Sequence, residues 1–161
     1  MTTVVKAVDL GPDRFGLVGS FGHPALIEFL LTEMDGADPA AAAAAGAAFA
    51  KMTGHNVDSG RKATVPPAEA GDDEFEAEFL DEVAVPDPKG AREKWEGLKP
   101  RLGQIVRLCG GEDASRGLSA EGYATVDMES RWEICLRAKF NGSWAGSSMN
   151  LQVFPQRRGP I

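Results

Sequence analysis

Histidine is nearly absent from this sequence. The 161 residues hold His23 and His55 and no other imidazole. Nucleophilic catalysis through a histidine base would have to use one of two positions. His23 precedes a proline in a Gly/Pro turn, a setting that suits capping. His55 follows the end of an expected helix, where a charged ring would complement the helix dipole. Cysteine is as scarce. Cys109 and Cys135 each stand in an apolar run, Val106-Arg107-Leu108-Cys109 and Trp132-Glu133-Ile134-Cys135. Two cysteines make no disulfide framework, and with two scattered histidines they make no zinc site. Buried, inert thiols are expected. Long apolar runs are missing too. None approaches the roughly 20 residues of a membrane helix, and Met1 to Leu10 lacks the pattern of a signal peptide. The expected location is cytoplasmic, with no membrane partner. Positive charge is short as well: 17 Lys and Arg face 24 Asp and Glu, a formal net charge of −7. An acidic chain repels phosphate backbones, so no nucleic-acid partner is expected.

What is present suits one globular domain over residues 1–161. Hydrophobic residues make up 43% and charged residues 25%, ordinary values for a packed chain. Punctuation by Gly, Pro and Asp divides the chain into helices. Asp13 to Ser20 reads as a short helix, then Gly22-His23-Pro24 as a tight turn. Pro24 to about Met34 follows, with Leu26, Ile27, Phe29, Leu30 and Leu31 as a wide apolar face. Asp38 is placed as N-cap and Pro39 at the first helical position of an alanine-rich helix that ends at Thr53-Gly54. Asp87-Pro88 repeats that start, for a helix to about Leu98 bearing Ala91 and Trp95. Ser115 to Tyr123 reads as a short helix. Thr125 to Phe140 reads as a long one whose stripe is Val126, Trp132, Leu136 and Phe140. Trp95 and Trp132 are expected in the core. Residues 144–154 suit either helix or strand, and residues 155–161 read as a frayed tail.

Residues 54–86 break the pattern and read as a long acidic loop. From Glu69 to Glu82 the chain holds Glu69, Asp72, Asp73, Glu74, Glu76, Glu78, Asp81 and Glu82, with no Lys or Arg. Phe75, Phe79 and Leu80 are interleaved. The expected fold class is all-α: a short HEAT-like stack of helix pairs, an α-α superhelix, interrupted by this loop.

Four stretches carry a family resemblance: Gly16-Leu17-Val18-Gly19 with Gly22-His23-Pro24-Ala25; Ala47-Ala48-Phe49-Ala50-Lys51-Met52-Thr53-Gly54; Val85-Pro86-Asp87-Pro88 followed by Trp95; and Glu121-Gly122-Tyr123. Over roughly residues 12–140 the chain resembles the C-terminal part of a bacterial HEAT-repeat family. That family consists of conserved hypothetical proteins often encoded near type VI secretion genes. The sequence departs from the family pattern at Lys94-Trp95, where the family has a Trp pair, and at Val126-Asp127-Met128-Glu129, where it has a basic, alanine-rich run. The resemblance implies a helical scaffold and no catalytic residues.

The functional expectation is a non-enzymatic protein–protein interaction scaffold, an accessory of a secretion system, with no cofactor. Its partner is another protein. Acidic residues interleaved with aromatics suit a docking strip that folds against a basic, apolar groove. The candidate interaction residues are Glu74, Phe75, Glu78 and Phe79, with Trp144 as an exposed anchor in a Gly/Ser-rich stretch. Arg101, Arg107 and Arg116 are the cations that would receive the acidic segment if it folds back. The alternative is a metal-dependent binding protein or enzyme built on that segment. Asp72, Asp73, Glu76 and Asp81 would then offer hard oxygen ligands to a calcium-like ion, though the spacing of an EF-hand loop is missing. Self-association through an open end of the stack is a third reading.

Overall fold

A computed structural model describes residues 10–65 and 81–143. Helix α1 spans Asp13–Phe21. A short 3-10 helix, Pro24–Leu26, leads into α2, Ile27–Met34. Helix α3 is Pro39–Thr53, strand β1 is Asp58–Val65 and β2 is Asp81–Pro86. Helix α4 is Pro88–Leu98, β3 is Leu108–Cys109 and β4 is Glu112–Asp113. Two helices, α5 at Ala120–Thr125 and α6 at Met128–Phe140, complete the order.

The helix starts follow the sequence chemistry. The Nδ1 of His23 accepts from the Ala25 amide at 3.2 Å, and Asp38 Oδ1 accepts from the Ala40 amide at 2.9 Å. Each satisfies a donor that a helix start leaves orphaned. Asp87 starts α4 with an extended backbone but makes no side-chain cap.

Around α3 sits the main core. Phe15, Ile27, Leu30, Leu31, Phe49 and Met52 are fully buried there. Each such side chain contributes roughly 1.5–3 kcal/mol relative to exposure. Phe15 stacks on Phe29 at 5.7 Å between ring centres. Small residues set the spacing. A side chain added at Gly19 would stand 3.3 Å from the Ala48 Cα, so α1 and α3 lie backbone to backbone. Trp95 of α4 closes the core, and its indole N–H donates to Glu28 Oε1 at 3.1 Å. A second, smaller cluster joins Cys109, Ala114, Tyr123, Val126 and Ile134 beneath α5 and α6.

The fold is mixed, which corrects the all-α HEAT-like superhelix. Residues 58–65 and 81–86, expected within an acidic loop, pair as an antiparallel ladder running from Val65↔Asp81 to Asp58↔Pro86. The register shifts between Asp58 and Arg61, and the Ser59 hydroxyl donates to the Val85 carbonyl there at 2.6 Å. The ladder persists because Pro86 packs on Gly46 of α3 and the Asp87 amide donates to the Val57 carbonyl at 2.6 Å. Lys62 and Glu82 meet across it at 2.6 Å, and their mutual hydrogen bond and charge raise the lysine pKa and lower the glutamate's. Both are solvent-exposed, so the pair adds little. A second two-stranded sheet joins Leu108↔Asp113 and Cys109↔Glu112.

The start of α6 corrects another expectation. It begins at Met128, not Thr125, because Asp127 caps it: Oδ1 accepts from the Ser130 amide at 2.8 Å, and Oδ2 from its hydroxyl at 2.7 Å. The face it buries carries Ser130, Arg131, Ile134, Cys135 and Ala138. Trp132, Leu136 and Phe140 point outward, so Trp132 is not a core residue.

Candidate functional site

Of the residues singled out in the sequence, Asp72, Asp73, Glu74, Phe75, Glu76, Glu78, Phe79 and Trp144 lie outside the described residues, as does the tail 155–161. Asp81 is described. It is exposed at the start of β2, opposite Val65. Among the described residues, no group of three His, Cys, Asp or Glu side chains stands close enough to hold a metal ion. No described helix is long and apolar enough to cross a membrane.

Both cysteines are buried and unbridged. Burial pushes the Cys109 thiol above its ordinary pKa, against a smaller opposing pull from the Ser130 hydroxyl. A thiol held in its neutral form is a weak nucleophile. Arg107 does not wait in solvent for the acidic segment. It is only 8% exposed, and its Nη2 donates to the Ser20 carbonyl at 3.1 Å and lies 3.5 Å from Glu133 Oε2. Desolvation, and then the nearby charge of Arg137, lower its pKa.

One concavity is a groove of about 710 Å³ between α1, α3 and a flank of α6. Gly16, Gly19, Ala44, Ala47 and Ala48 form its floor. Leu17 stands on its rim, 52% exposed. At one end charges of both signs converge. Lys51 Nζ donates to Ser20 Oγ at 3.0 Å and lies 3.5 Å from Glu129 and 3.6 Å from Glu133. Arg137 lines the same end. A smaller groove of about 300 Å³ lies on the other side of Ala47, walled by Ala84 and Pro86 of the hairpin. Ala47, the one exposed alanine of α3, lines both channels.

Such a floor favours close approach of another backbone, because no long side chain holds it away. The charged end favours one orientation of whatever enters. An alanine-rich helix is legible in the sequence, but the exposure of Ala47 is not, since it depends on which sides of α3 receive α1 and the hairpin. Comparison of the chain with protein-family models, curated proteins and solved structures gives no match.

Proposed function

We propose that the chain is a non-enzymatic protein-interaction module that receives a segment of another protein in the groove between α1, α3 and α6. The observation that supports this reading is the groove itself: a small-residue floor, an exposed leucine on the rim, and Lys51, Glu129, Glu133 and Arg137 gathered at one end. An apolar channel with a few placed polar groups is the usual form of a recognition site. The affinity would come from burying Leu17 and the alanine floor, and the orientation from the charged end. The buried Cys109 thiol and the capping role of His23 give chemistry little to work with beside it. The resemblance to the type VI-linked family directs the search for the partner to components of a secretion system.

The test fills the groove without touching the core. Ala47 is exposed and lines both channels, so Ala47→Trp blocks docking while the fold is retained. Tagged wild-type protein and variant are compared in pull-downs from the source cell, with Lys94→Trp on the exposed side of α4 as control. The expected result is a set of partners lost with Ala47→Trp and kept with Lys94→Trp. Retention of the same partners by Ala47→Trp overturns the proposal.

A further inference from the structure

Helix α6 ends on an asparagine–glycine pair. Asn141 is its C-cap, and Gly142 follows in the left-handed region with φ +66°. The Gly142 amide donates to the Lys139 carbonyl at 3.1 Å, and the Ser143 amide to the Ala138 carbonyl at 2.8 Å. Together these two bonds are the common closure of a helix end by glycine. Asn141 and Gly142 are both exposed. Beyond its chain neighbours, no atom of the described residues stands within 4 Å of where a Gly142 side chain would begin.

The pair sets two reactive groups side by side. An asparagine side chain carries an electrophilic carbon, Cγ. The backbone nitrogen of the next residue reaches that carbon by closing a five-membered ring. A side chain on the next residue hinders the closure, and glycine has none. Asn56 shows the opposite case. Its successor is the β-branched Val57, only 7% exposed, and its own Oδ1 accepts from the Asp58 amide at 3.1 Å. At Asn141 the one obstacle among the described residues is the hydrogen bond from Gly142 to Lys139, which occupies the attacking nitrogen. That bond lies in the last turn of a helix, where local opening costs least.

We infer that Asn141 is a site of spontaneous self-modification, paced by opening of the last turn of α6. The Gly142 nitrogen gives its proton to solvent and attacks Asn141 Cγ, forming a new C–N bond. The Cγ–Nδ2 bond then breaks, and the side-chain nitrogen takes up a proton and leaves as ammonia. The cyclic imide adds one water. Opening at Cγ gives aspartate. Opening at the backbone carbonyl gives isoaspartate, whose main chain runs through the former side chain and is one methylene longer. Water is the only co-reactant. Either product sets a negative charge at the C-terminal end of α6, the unfavourable end of the helix dipole. The longer isoaspartyl link also shifts the Gly142 and Ser143 amides away from the Lys139 and Ala138 carbonyls, so the closure of α6 is lost.

Peptide mass spectrometry on the full chain, incubated in warm, mildly alkaline buffer, tests this, with fragmentation that separates aspartate from isoaspartate. The expected result is a gain of one mass unit at Asn141, mainly as isoaspartate, while Asn56 stays intact. The same chain in guanidinium chloride sets the rate of the open state. The folded chain should convert within roughly tenfold of that rate, because a last turn opens at little cost. The Gly142 amide should exchange with deuterated solvent long before the first conversion. Asn141→Gln, which would need a larger ring, should show no gain at that position and keep its circular dichroism spectrum. An Asn141 that stays intact while the unfolded chain converts overturns the proposal. So does a Gly142 amide that remains protected throughout. Conversion of Asn56 as fast as Asn141 in the folded chain also overturns it, because the following glycine and the open helix end would then not govern the reaction.

Discussion

Gly22 stands where the end of α1 meets β3. Its amide donates to the Val18 carbonyl at 2.9 Å, and its own carbonyl accepts from the Leu108 amide at 2.6 Å. Its φ is +69°, and an added Cβ would fall 2.6 Å from the Leu108 carbonyl oxygen. A left-handed backbone and a contact with rigid main chain leave no room for a side chain. Gly22→Ala is expected to cost about 1–3 kcal/mol, seen as a lower midpoint in urea unfolding with an unchanged slope. The cysteines give a second residue-scale expectation. Cys109 and Cys135 are buried, and burial keeps the Cys109 thiol protonated above its ordinary range. Native protein at pH 8 should therefore react with a thiol reagent only as fast as it opens, and denaturant should release both thiols at once. Fast stoichiometric labelling of the folded protein would contradict this. Apolar surroundings for the cysteines were readable in the sequence from their neighbours. The burial of Arg107 was not, because its contacts, Ser20 and Glu133, are remote in the chain.

At the scale of elements, the start of α6 depends on one carboxylate. Burial works against the charge on Asp127. The Ser130 amide and hydroxyl, together with the Lys51 charge, outweigh it and hold the carboxyl below its ordinary value. A depressed folded-state pKa contributes stability that is present above the unfolded value of roughly 3.9 and is lost as pH falls through the folded one. Asp127→Ala should cost about 1–2 kcal/mol at neutral pH, and Asp127→Asn should keep part of the cap while flattening the acid limb of the stability curve. Thermal melts from pH 6 to pH 2 check both. Helix boundaries marked by Asp38-Pro39, Asp87-Pro88, Gly22 and Gly54 were legible because caps and glycines act locally. The strands were not. Asp58–Val65 buries only Val65, carries Arg61 and Lys62 in solvent, and gains its partner from beyond an acidic stretch. No alternation marks a strand whose outer face is fully wet. The orientation of α6 was misread for a related reason. The one four-residue apolar stripe in its sequence faces outward, and the side that turns inward carries Ser130 and Arg131 beside Ile134, Cys135 and Ala138, which hides it from a reading of hydrophobic spacing.

At the scale of the whole molecule, two clusters of core meet at one joint. Gly110 and Gly111, the turn between β3 and β4, donate their amides to the Lys51 and Met52 carbonyls, each at 3.0 Å. Those are among the last carbonyls of α3, which a helix end leaves without partners. The Thr53 hydroxyl and the Gly54 amide take the Phe49 and Ala50 carbonyls, so the end of α3 is closed half by its own residues and half by a distant turn. An added Cβ at Gly111, φ +81°, would meet the Thr53 carbonyl oxygen at 2.8 Å. Gly111→Ala should loosen the joint. Amide exchange in α5 and α6 should then rise well before exchange in α3, where wild type exchanges more uniformly. Equal acceleration in both clusters would show that the joint does not couple them.

That shared helix end also carries a consequence for synthesis on the ribosome. The alanine-rich body of α3 is able to form as soon as it emerges, but two of its terminal carbonyls wait for a turn almost sixty residues downstream. At 5–20 residues per second that interval is roughly 3–12 seconds. During it the C-terminal end of α3 lacks half of its closure. The growing chain is most open to a chaperone in this window, and a pause in translation between Gly54 and Gly110 would lengthen it.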